Sequence, residues 1–367
     1  MATPSVLIIG SGIIGAGFAF MAAQRNLPIR LISSLPVNSG GTATANSWAW
    51  INANTDNNKS YFDLRYASME IWQRWMQIVP DLVSTSKGGF VWDINPDALR
   101  SFAACHKNWG YPVELLSTDA IAKKLPCLRD APELAAYVPT EMAVEPDDAV
   151  RALLTAATIQ PEQNHVHSLL IDRDRVYGVM TDDGPYKADE VILASGNGTP
   201  ALLESIGTEF EMKPTNGLLV TTQKLPKFLP YLLTAPDYHV RQTVNGNLLI
   251  GGTFHHNQSL ENGQNLQDAA SVLLSIVERA LKCPVPLEVE SYSLGQRVIP
   301  KGGLPKIGRI QRLGRGVISG LYVAVMHSGI SNVAAVAEQG ILEITTGLPS
   351  HLLEPFRPEN NLINTND

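Results

Sequence analysis

The apolar and polar positions at the start of the chain predict a strand, a tight turn and a helix in quick succession. Residues 6–9 read Val-Leu-Ile-Ile, an apolar run of the length of a buried strand. Glycine-rich sequence follows, and residues 16–24 then have the composition of a helix. Residues 28–32 are again mostly apolar and predict the second strand. Strands that alternate with helices favour a parallel sheet.

The hydrophobic spacing changes after residue 216. Earlier in the chain, residues 63–79 have apolar positions at helical spacing, and we interpret them as packing residues of one helix. Later, residues 218–222, 238–242 and 247–253 are strand-like, and Asn245-Gly246 predicts a hairpin turn between the last two. The second half therefore predicts a mainly antiparallel sheet with helices.

The turn after the first strand contains three glycines, Gly10, Gly12 and Gly15, in the spacing GxGxxG. Between a strand and a helix, this spacing permits a tight turn, close backbone approach to a pyrophosphate and close helix packing. Residues 6–23 are uncharged and also resemble a signal peptide or a membrane anchor. No Lys or Arg precedes them, however, and the glycines interrupt them. We therefore interpret this stretch as a dinucleotide-binding turn.

Composition narrows the class of protein. The 367 residues carry 28 Lys and Arg against 35 Asp and Glu, a net charge of −7. No basic run is present, which argues against nucleic acid or an anionic membrane as the main partner. Cys105, Cys127 and Cys283 are widely spaced and predict reduced thiols. We expect a cytoplasmic α/β enzyme without a transmembrane segment and without a metal site.

The second strand ends in a departure from the usual dinucleotide pattern. Such folds commonly end this strand with Asp or Glu, which holds the ribose hydroxyls. Here the chain has Ser33 and Ser34. A hydroxyl can bond a ribose, but more weakly than a carboxylate does. The phosphate end of the predicted site is therefore complete, whereas the ribose end is not.

Five sequence segments, which follow one another in a set order, carry a resemblance to a known protein family. They are the GxGxxG unit and residues 40–47, 188–196, 296–308 and 320–329. Together they resemble the D-amino-acid oxidase family of FAD-dependent oxidoreductases, and most closely its glycine oxidase and sarcosine oxidase branch. The resemblance covers about residues 5–347.

The resemblance implies an α/β fold with two domains. A Rossmann-like FAD-binding domain would comprise residues 1–80, 146–206 and 300–350. An α+β substrate domain with a mainly antiparallel sheet would comprise residues 81–145 and 207–299. Residues 351–367 would form a C-terminal tail, and the polar composition of residues 355–367 predicts that this part is frayed.

The resemblance also assigns residues to FAD, which would lie extended across the first domain. Some relatives attach their flavin through Cys or His, but this chain has no Cys near residues 298–308 and no His in residues 40–54. We therefore predict non-covalent FAD. Its predicted contacts are Gly10, Gly12, Ile13, Ile14, Gly15, Ser33, Ser34, Gly41, Thr42, Ser47, Ala194, Ser195, Gly196, Ser328, Gly329 and Ile330.

Three residues are candidates for the substrate side. Arg297 matches a family arginine and would clamp a substrate carboxylate, since guanidinium and carboxylate form two parallel bonds; a structural ion pair is the alternative. Tyr238 matches a substrate-contacting tyrosine of the glycine oxidase branch, with core packing as the alternative. Trp50 would form a pocket wall. Weaker wall candidates are His255, His256 and His327.

The activity that the resemblance implies is oxidation of the C–N bond of a small amino acid or secondary amine. A hydride would pass to flavin N5 and leave an imine, and oxygen, a quinone or a protein would accept the electrons. Two alternatives remain open: a non-catalytic or subunit flavoprotein of the same fold, and an NAD(P)-dependent dehydrogenase. Substrate, chirality and oligomeric state are not determined by the sequence, and an oligomer is possible.

Overall fold

A computed structural model of the chain describes residues 3–37, 39, 41–54, 58–84, 86–252, 265–312 and 316–358. The helices that it describes are α1 (Ile13–Ala23), α2 (Lys59–Ile78), α3 (Pro96–Asn108), α4 (Thr118–Lys124), α5 (Pro146–Ala156), α6 (Thr199–Glu204), α7 (Leu266–Ala280) and α8 (Gly329–Thr346). None of these helices combines the length and the apolar composition needed to cross a membrane.

The described strands are β1 (Val6–Ile9), β2 (Ile29–Ser33), β3 (Trp50–Ile51), β4 (Gly89–Val91), β5 (Glu114–Ser117), β6 (Leu134–Val138), β7 (Met142–Ala143), β8 (Glu162–Gln163), β9 (Val166–Asp172), β10 (Arg175–Thr181), β11 (Gly184–Lys187), β12 (Glu190–Leu193), β13 (Asn216–Lys224), β14 (Leu232–Thr234), β15 (Tyr238–Gln242), β16 (Asn247–Gly252), β17 (Val289–Gln296), β18 (Lys306–Gly308), β19 (Gln311–Arg312), β20 (Gly316–Val317) and β21 (Leu321–Val325).

A six-stranded sheet contains β1 near its centre, in the order β18-β21-β12-β1-β2-β8. Its neighbouring strands are parallel except for the pair β18–β21. Val6 and Ile8 pack with α1 and α8 on one face, whereas Leu7 and Ile9 pack with β9 and β10 on the other. Burial of both faces explains why β1 is an uninterrupted apolar run.

An eight-stranded sheet has the order β17-β13-β16-β15-β14-β4-β6-β5 and is antiparallel except for the pair β14–β4. Val220, Val240 and Ile250 project from its central strands toward Leu273 and Val277 of α7. Its opposite face is turned toward the rest of the chain. The two sheets confirm the predicted fold class, α/β with a mainly antiparallel second sheet. The division into two domains stays a prediction.

Close backbone contacts explain why glycine occupies two positions after the end of β1. Gly10 has φ +106°, and a Cβ there would lie 2.5 Å from the carbonyl oxygen of Ala194. A Cβ on Gly15 would overlap the carbonyl oxygen of Gly10. The turn can therefore pack against the end of β12, and α1 against the turn, only with glycine at these positions.

The first part of the predicted C-terminal tail is packed rather than frayed. Leu353 and Phe356 are buried in the core that contains α1 and α8. Arg357 forms an ion pair with Glu343 of α8, and the Tyr322 hydroxyl donates to the same carboxylate over 2.7 Å. The expectation of fraying was wrong for residues 355–358, because the buried Phe356 and the ion pair of Arg357 anchor them. Residues 359–367 lie outside the described residues.

A buried ion pair joins β15 to the start of α5. Nη1 and Nη2 of Arg241 donate to the two carboxylate oxygens of Glu145 over 2.9 and 3.1 Å. Their side chains are only 3% and 17% exposed. Burial alone raises the pKa of Glu145, but the hydrogen bonds and charge of Arg241 outweigh it, so this pKa lies below its ordinary value. The pair therefore fixes the second sheet against α5.

A second buried carboxylate lies just before β7. Glu141 is 1% exposed. It accepts hydrogen bonds from Trp50 Nε1 over 2.8 Å and from the Tyr111 hydroxyl over 2.7 Å. Burial raises its pKa to about 7, although these hydrogen bonds and the charge of Arg65 oppose the rise. Glu141 thereby holds the indole of Trp50, which lies at the end of the short β3–β7 pairing.

We expect Glu145→Gln to destabilise the fold by about 3–5 kcal/mol, because it leaves the buried Arg241 without a counter-charge. Urea unfolding at pH 7 measures this loss. The pKa of Glu145 is lower in the folded protein than in the unfolded chain. The ionised carboxylate therefore adds to the free energy of unfolding above the unfolded pKa, and this stabilisation is lost as the pH falls through the folded pKa. Glu162→Gln is the control, since the Arg30–Glu162 pair is 51% and 38% exposed and should contribute under about 1 kcal/mol. Equal losses in both variants would contradict the assignment.

We expect Glu141→Gln to remove one source of pH dependence. The folded pKa of about 7 lies above the ordinary value of 4.5, so the wild type loses stability as the pH rises through this window. The variant should therefore gain in melting temperature relative to the wild type between pH 5 and about 8. Thermal melts across this range test the idea, with the exposed Glu70→Gln as control. A constant difference between wild type and Glu141→Gln would refute it.

Candidate cofactor and substrate site

One continuous cleft of about 1660 Å³ runs between the two sheets. Common small-molecule pockets measure roughly 300–1,000 Å³. The cleft therefore has room for an extended dinucleotide together with a small second molecule. The segments that line it include residues 9–14, 32–35, 41–44, 46–50, 164–167, 194–198, 293–298 and 324–331.

The fingerprint turn forms one end of the cleft. Helix α1 begins at Ile13 with Gly12 as its N-cap, which has no side chain of its own to cap the helix. Thr44 approaches this turn, and its hydroxyl accepts a hydrogen bond from the Ile13 amide over 3.1 Å. The first turn of α1 contains no acidic residue. The other N–H groups of this first turn and the positive end of the helix make this a suitable place for a pyrophosphate.

Most of the residues predicted for FAD lie along this cleft. Gly15 does not line it, because its position is needed for the contact with Gly10. Gly40 lies outside the described residues. The predicted residues that do line the cleft are Gly10, Gly12, Ile13, Ile14, Ser33, Ser34, Gly41, Thr42, Ser47, Ala194, Ser195, Gly196, Ser328, Gly329 and Ile330.

Ser33 already has partners at the expected ribose position. Its hydroxyl accepts from Ser11 Oγ and donates to the carbonyl of Leu35, both over 2.8 Å. A hydroxyl has two acceptor positions, so Ser33 can still accept one bond from a ribose. Asn164 and His165 also line this end. The sequence pattern did not reveal them, since only the pairing of β8 with β2 brings them here.

The other end of the cleft meets the start of α8. Ser328 caps this helix in the left-handed conformation, with φ 54°. The Ser331 hydroxyl donates to the carbonyl of Trp50 over 2.6 Å, and Trp72 Nε1 donates to the carbonyl of Ile330 over 2.8 Å. These bonds fix the helix start beside Trp50, which lines the cleft as predicted.

Arg297 lies at this same end and is partly buried. Its Nη1 donates to the carbonyl of Asn216 over 2.6 Å and to the Thr215 hydroxyl over 3.4 Å. Its guanidinium group covers Gly217, where a Cβ would lie 2.8 Å from Nη2. Burial lowers its pKa. A desolvated guanidinium that lines a cleft is suited to binding an anion.

Tyr238 does not lie in the cleft. It is 5% exposed and packs in the core between the second sheet and α7, where burial raises its pKa. The next residue, His239, lines the cleft and meets Trp48 edge-to-face with 4.7 Å between ring centroids. Adjacent residues of a strand face opposite sides of the sheet, so the prediction that Tyr238 faces the substrate site was wrong, and it is His239 that faces the cleft.

The histidines of this end are neutral at pH 7. Burial and the positive charge of Arg297 lower the pKa of His239 to about 4. The same causes, together with Arg65, lower the pKa of His327 to about 4. His255 and His256 lie outside the described residues. Neutral imidazoles add no charge to the cleft.

Two further cleft residues were not among the predicted site residues. Trp48 packs edge-to-face on Trp50, with 5.5 Å between ring centroids. Arg65 lies on α2, in the helix that the periodicity assigned to packing, yet it lines the cleft. The sequence contains one indication that Arg65 has a role other than packing: it is a charged residue at a buried position of an amphipathic helix.

Comparison with known proteins places this site in a family. The model of the DAO family, described as FAD dependent oxidoreductase, matches residues 5–339. A glycine oxidase of Pseudomonas putida is 24% identical over 385 aligned positions, which cover 97% of this chain and 99% of that protein. A hydrogen cyanide synthase subunit HcnC of Pseudomonas protegens is 31% identical over 121 residues, which cover 32% of this chain and 28% of that protein.

The fold has a close counterpart among solved structures. A glycine oxidase from Bacillus cereus superposes with a TM-score of 0.81 at 20% identity and covers 96% of this chain and 98% of its own. The family match spans most of the chain, and FAD is the cofactor of that family. The chain belongs to the DAO family of FAD-dependent oxidoreductases.

Proposed function

We propose that the protein oxidises the C–N bond of a small amino acid or secondary amine. The observation that carries this proposal is the arrangement of one cleft: the glycine-capped start of α1 at one end and the partly buried Arg297 at the other. The first fits the pyrophosphate of FAD, and the second fits the carboxylate of an amino acid. The full-length similarity to a glycine oxidase supports the same substrate class.

The residues along the cleft fit FAD. The N–H groups of α1 and the loop at Gly41 and Thr42 would hold the phosphates, and Ser33 and Ser34 would face the adenosine. The start of α8 would face the flavin ring. When bound, FAD supplies the acceptor for a hydride from the carbon beside the substrate nitrogen.

The protein's own residues have three tasks in this proposal. Arg297 holds the carboxylate and so orients the C–H bond. Its positive charge also favours the neutral form of the nearby amine, which is the form that can give up a hydride. The indoles of Trp48 and Trp50 reduce access of water. No acid–base residue is required, in keeping with the neutral His239 and His327.

The nicotinamide alternative is not retained, since the family uses FAD. The subunit or non-catalytic alternative has one supporting observation, the partial match to an HcnC subunit. Flavin bleaching separates it from an enzyme. If no small amino acid or N-methyl amino acid bleaches fully bound FAD under anaerobic conditions, the non-catalytic alternative is favoured for that panel.

We expect Arg297→Met to lower the rate of anaerobic bleaching by carboxylate-bearing substrates about 30-fold to several thousand-fold. Truncating one partner of a buried charge pair costs about 2–5 kcal/mol, and about 1.4 kcal/mol is tenfold. Arg74→Met is the matched control, because the side chain of Arg74 is 59% exposed on α2. Unchanged bleaching in Arg297→Met would remove Arg297 from the proposed site.

We expect acid precipitation to release all of the FAD into the supernatant. None of the three cysteines lies among the described residues that line the cleft, so no thiol is positioned for a thioether bond to the flavin. Absorbance of pellet and supernatant at the flavin bands measures the partition. Flavin that stays with the denatured chain would overturn the prediction of non-covalent binding.

A further inference from the structure

A second guanidinium group faces the cleft from α2. Arg65 is only 8% exposed. Its Nε donates to the carbonyl of Asn52 over 2.9 Å, and its Nη2 donates to the side-chain oxygen of the same residue over 2.7 Å. Its guanidinium carbon lies 5.3 Å from the centre of the Tyr61 ring. Within the described residues, no acceptor bonds its Nη1.

This environment differs from that of the other deeply buried arginine near the cleft. Arg241 has the two oxygens of Glu145 within 3.1 Å. For Arg65, the described residues place no carboxylate within ion-pair distance. The nearest buried acid, Glu141, acts on it only through its charge, and its oxygens already bond Trp50 and Tyr111. A buried cation without a carboxylate is unfavourable unless a ligand provides one.

The charge that lines the cleft has a sign opposite to that of the whole chain. The protein carries a net charge of −7. Among the described residues that line the cleft, the permanently charged ones are Arg65, Arg297 and the exposed Asp93. The interior is therefore positive, and it is suited to a ligand with more than one negative charge.

The two arginines serve the same part of the cleft. Both lie near enough to the imidazole of His327 for their charges to lower its pKa. Both side chains line the cleft. The N–H groups of Arg65 Nη1 are therefore available to bind a carboxylate in this part of the cleft.

We propose that Arg65 binds a second carboxylate, so that the substrate is a small amine that carries two carboxylates. Arg297 then holds the carboxylate beside the reacting carbon, and Arg65 holds the distal one. That the bound molecule is a substrate rests on the proposed function. That the cleft has two positions for carboxylates does not depend on the proposed function.

Succinate and butyrate test the two positions without any reaction. Both are four-carbon acids without an amine, and they differ in one carboxylate. Titration of the FAD-loaded protein, followed by calorimetry and by the flavin absorbance spectrum, gives the Kd of each. We expect succinate to bind at least about 10-fold more tightly than butyrate to the wild type, since a charge-assisted hydrogen bond contributes about that much.

Variants then identify the residue that causes the preference for succinate over butyrate. Arg65→Met should abolish the preference for succinate and leave the Kd of butyrate unchanged, whereas Arg65→Lys should keep part of the preference. Arg297→Met should weaken both ligands. Arg74→Met, which removes an exposed arginine of the same helix, should change neither. Thermal melts and FAD content of each variant report on folding separately.

Two results would overturn the proposal. One is equal affinity of the wild type for succinate and butyrate, which needs no variant. The other is a preference for succinate that persists in a folded Arg65→Met protein. Failure of every amine to bleach the flavin would count against the proposed function but not against the dicarboxylate site, because neither probe can be oxidised at a C–N bond.

Discussion

The close contact between the end of β1 and the end of β12 is the constraint on which the site depends. Gly10 lies against the backbone of Ala194, and Gly15 lies against Gly10. Any side chain at these glycines would push apart the strand, the turn and α1. Because these backbones meet, the positive end of α1 and the carboxyl edge of the parallel sheet border the same cleft. Open α/β sheets commonly bind ligands at this edge.

The buried and partly buried arginines of the protein separate into two kinds by their location. Arg241 and Arg357 pair with Glu145 and Glu343, and both pairs join distant parts of the chain. Arg65 and Arg297 line the cleft instead. A paired buried charge specifies how elements pack, whereas a cation that faces a cleft attracts an anion. The electrostatic design thus distinguishes the scaffold from the proposed binding residues.

The second sheet shows why sequence similarity at one position can mislead. Tyr238 and His239 are adjacent, and the family pattern favoured the tyrosine as the substrate contact. The apolar partners of Tyr238 on α7 place it in the core, which leaves His239 beside Trp48 and the cleft. Alternation along β15 was visible in the sequence. Which of its two faces the helix covers was not, because that depends on contacts with α7, about 30 residues further along the chain.

The sequence alone determined the local parts of this protein: the apolar β1, the glycine turn, the helix that follows, and the change to antiparallel strands. Each depends on neighbouring residues, whose spacing is sufficient to specify it. The ordered blocks also identified the family and its cofactor. Only the tertiary structure decided that Asn164 and His165 lie beside Ser33 in the cleft, that residues 351–358 are packed, and that Arg65 faces the cleft. These features depend on contacts between residues far apart in the chain, and no local pattern encodes which distant partner a side chain will meet.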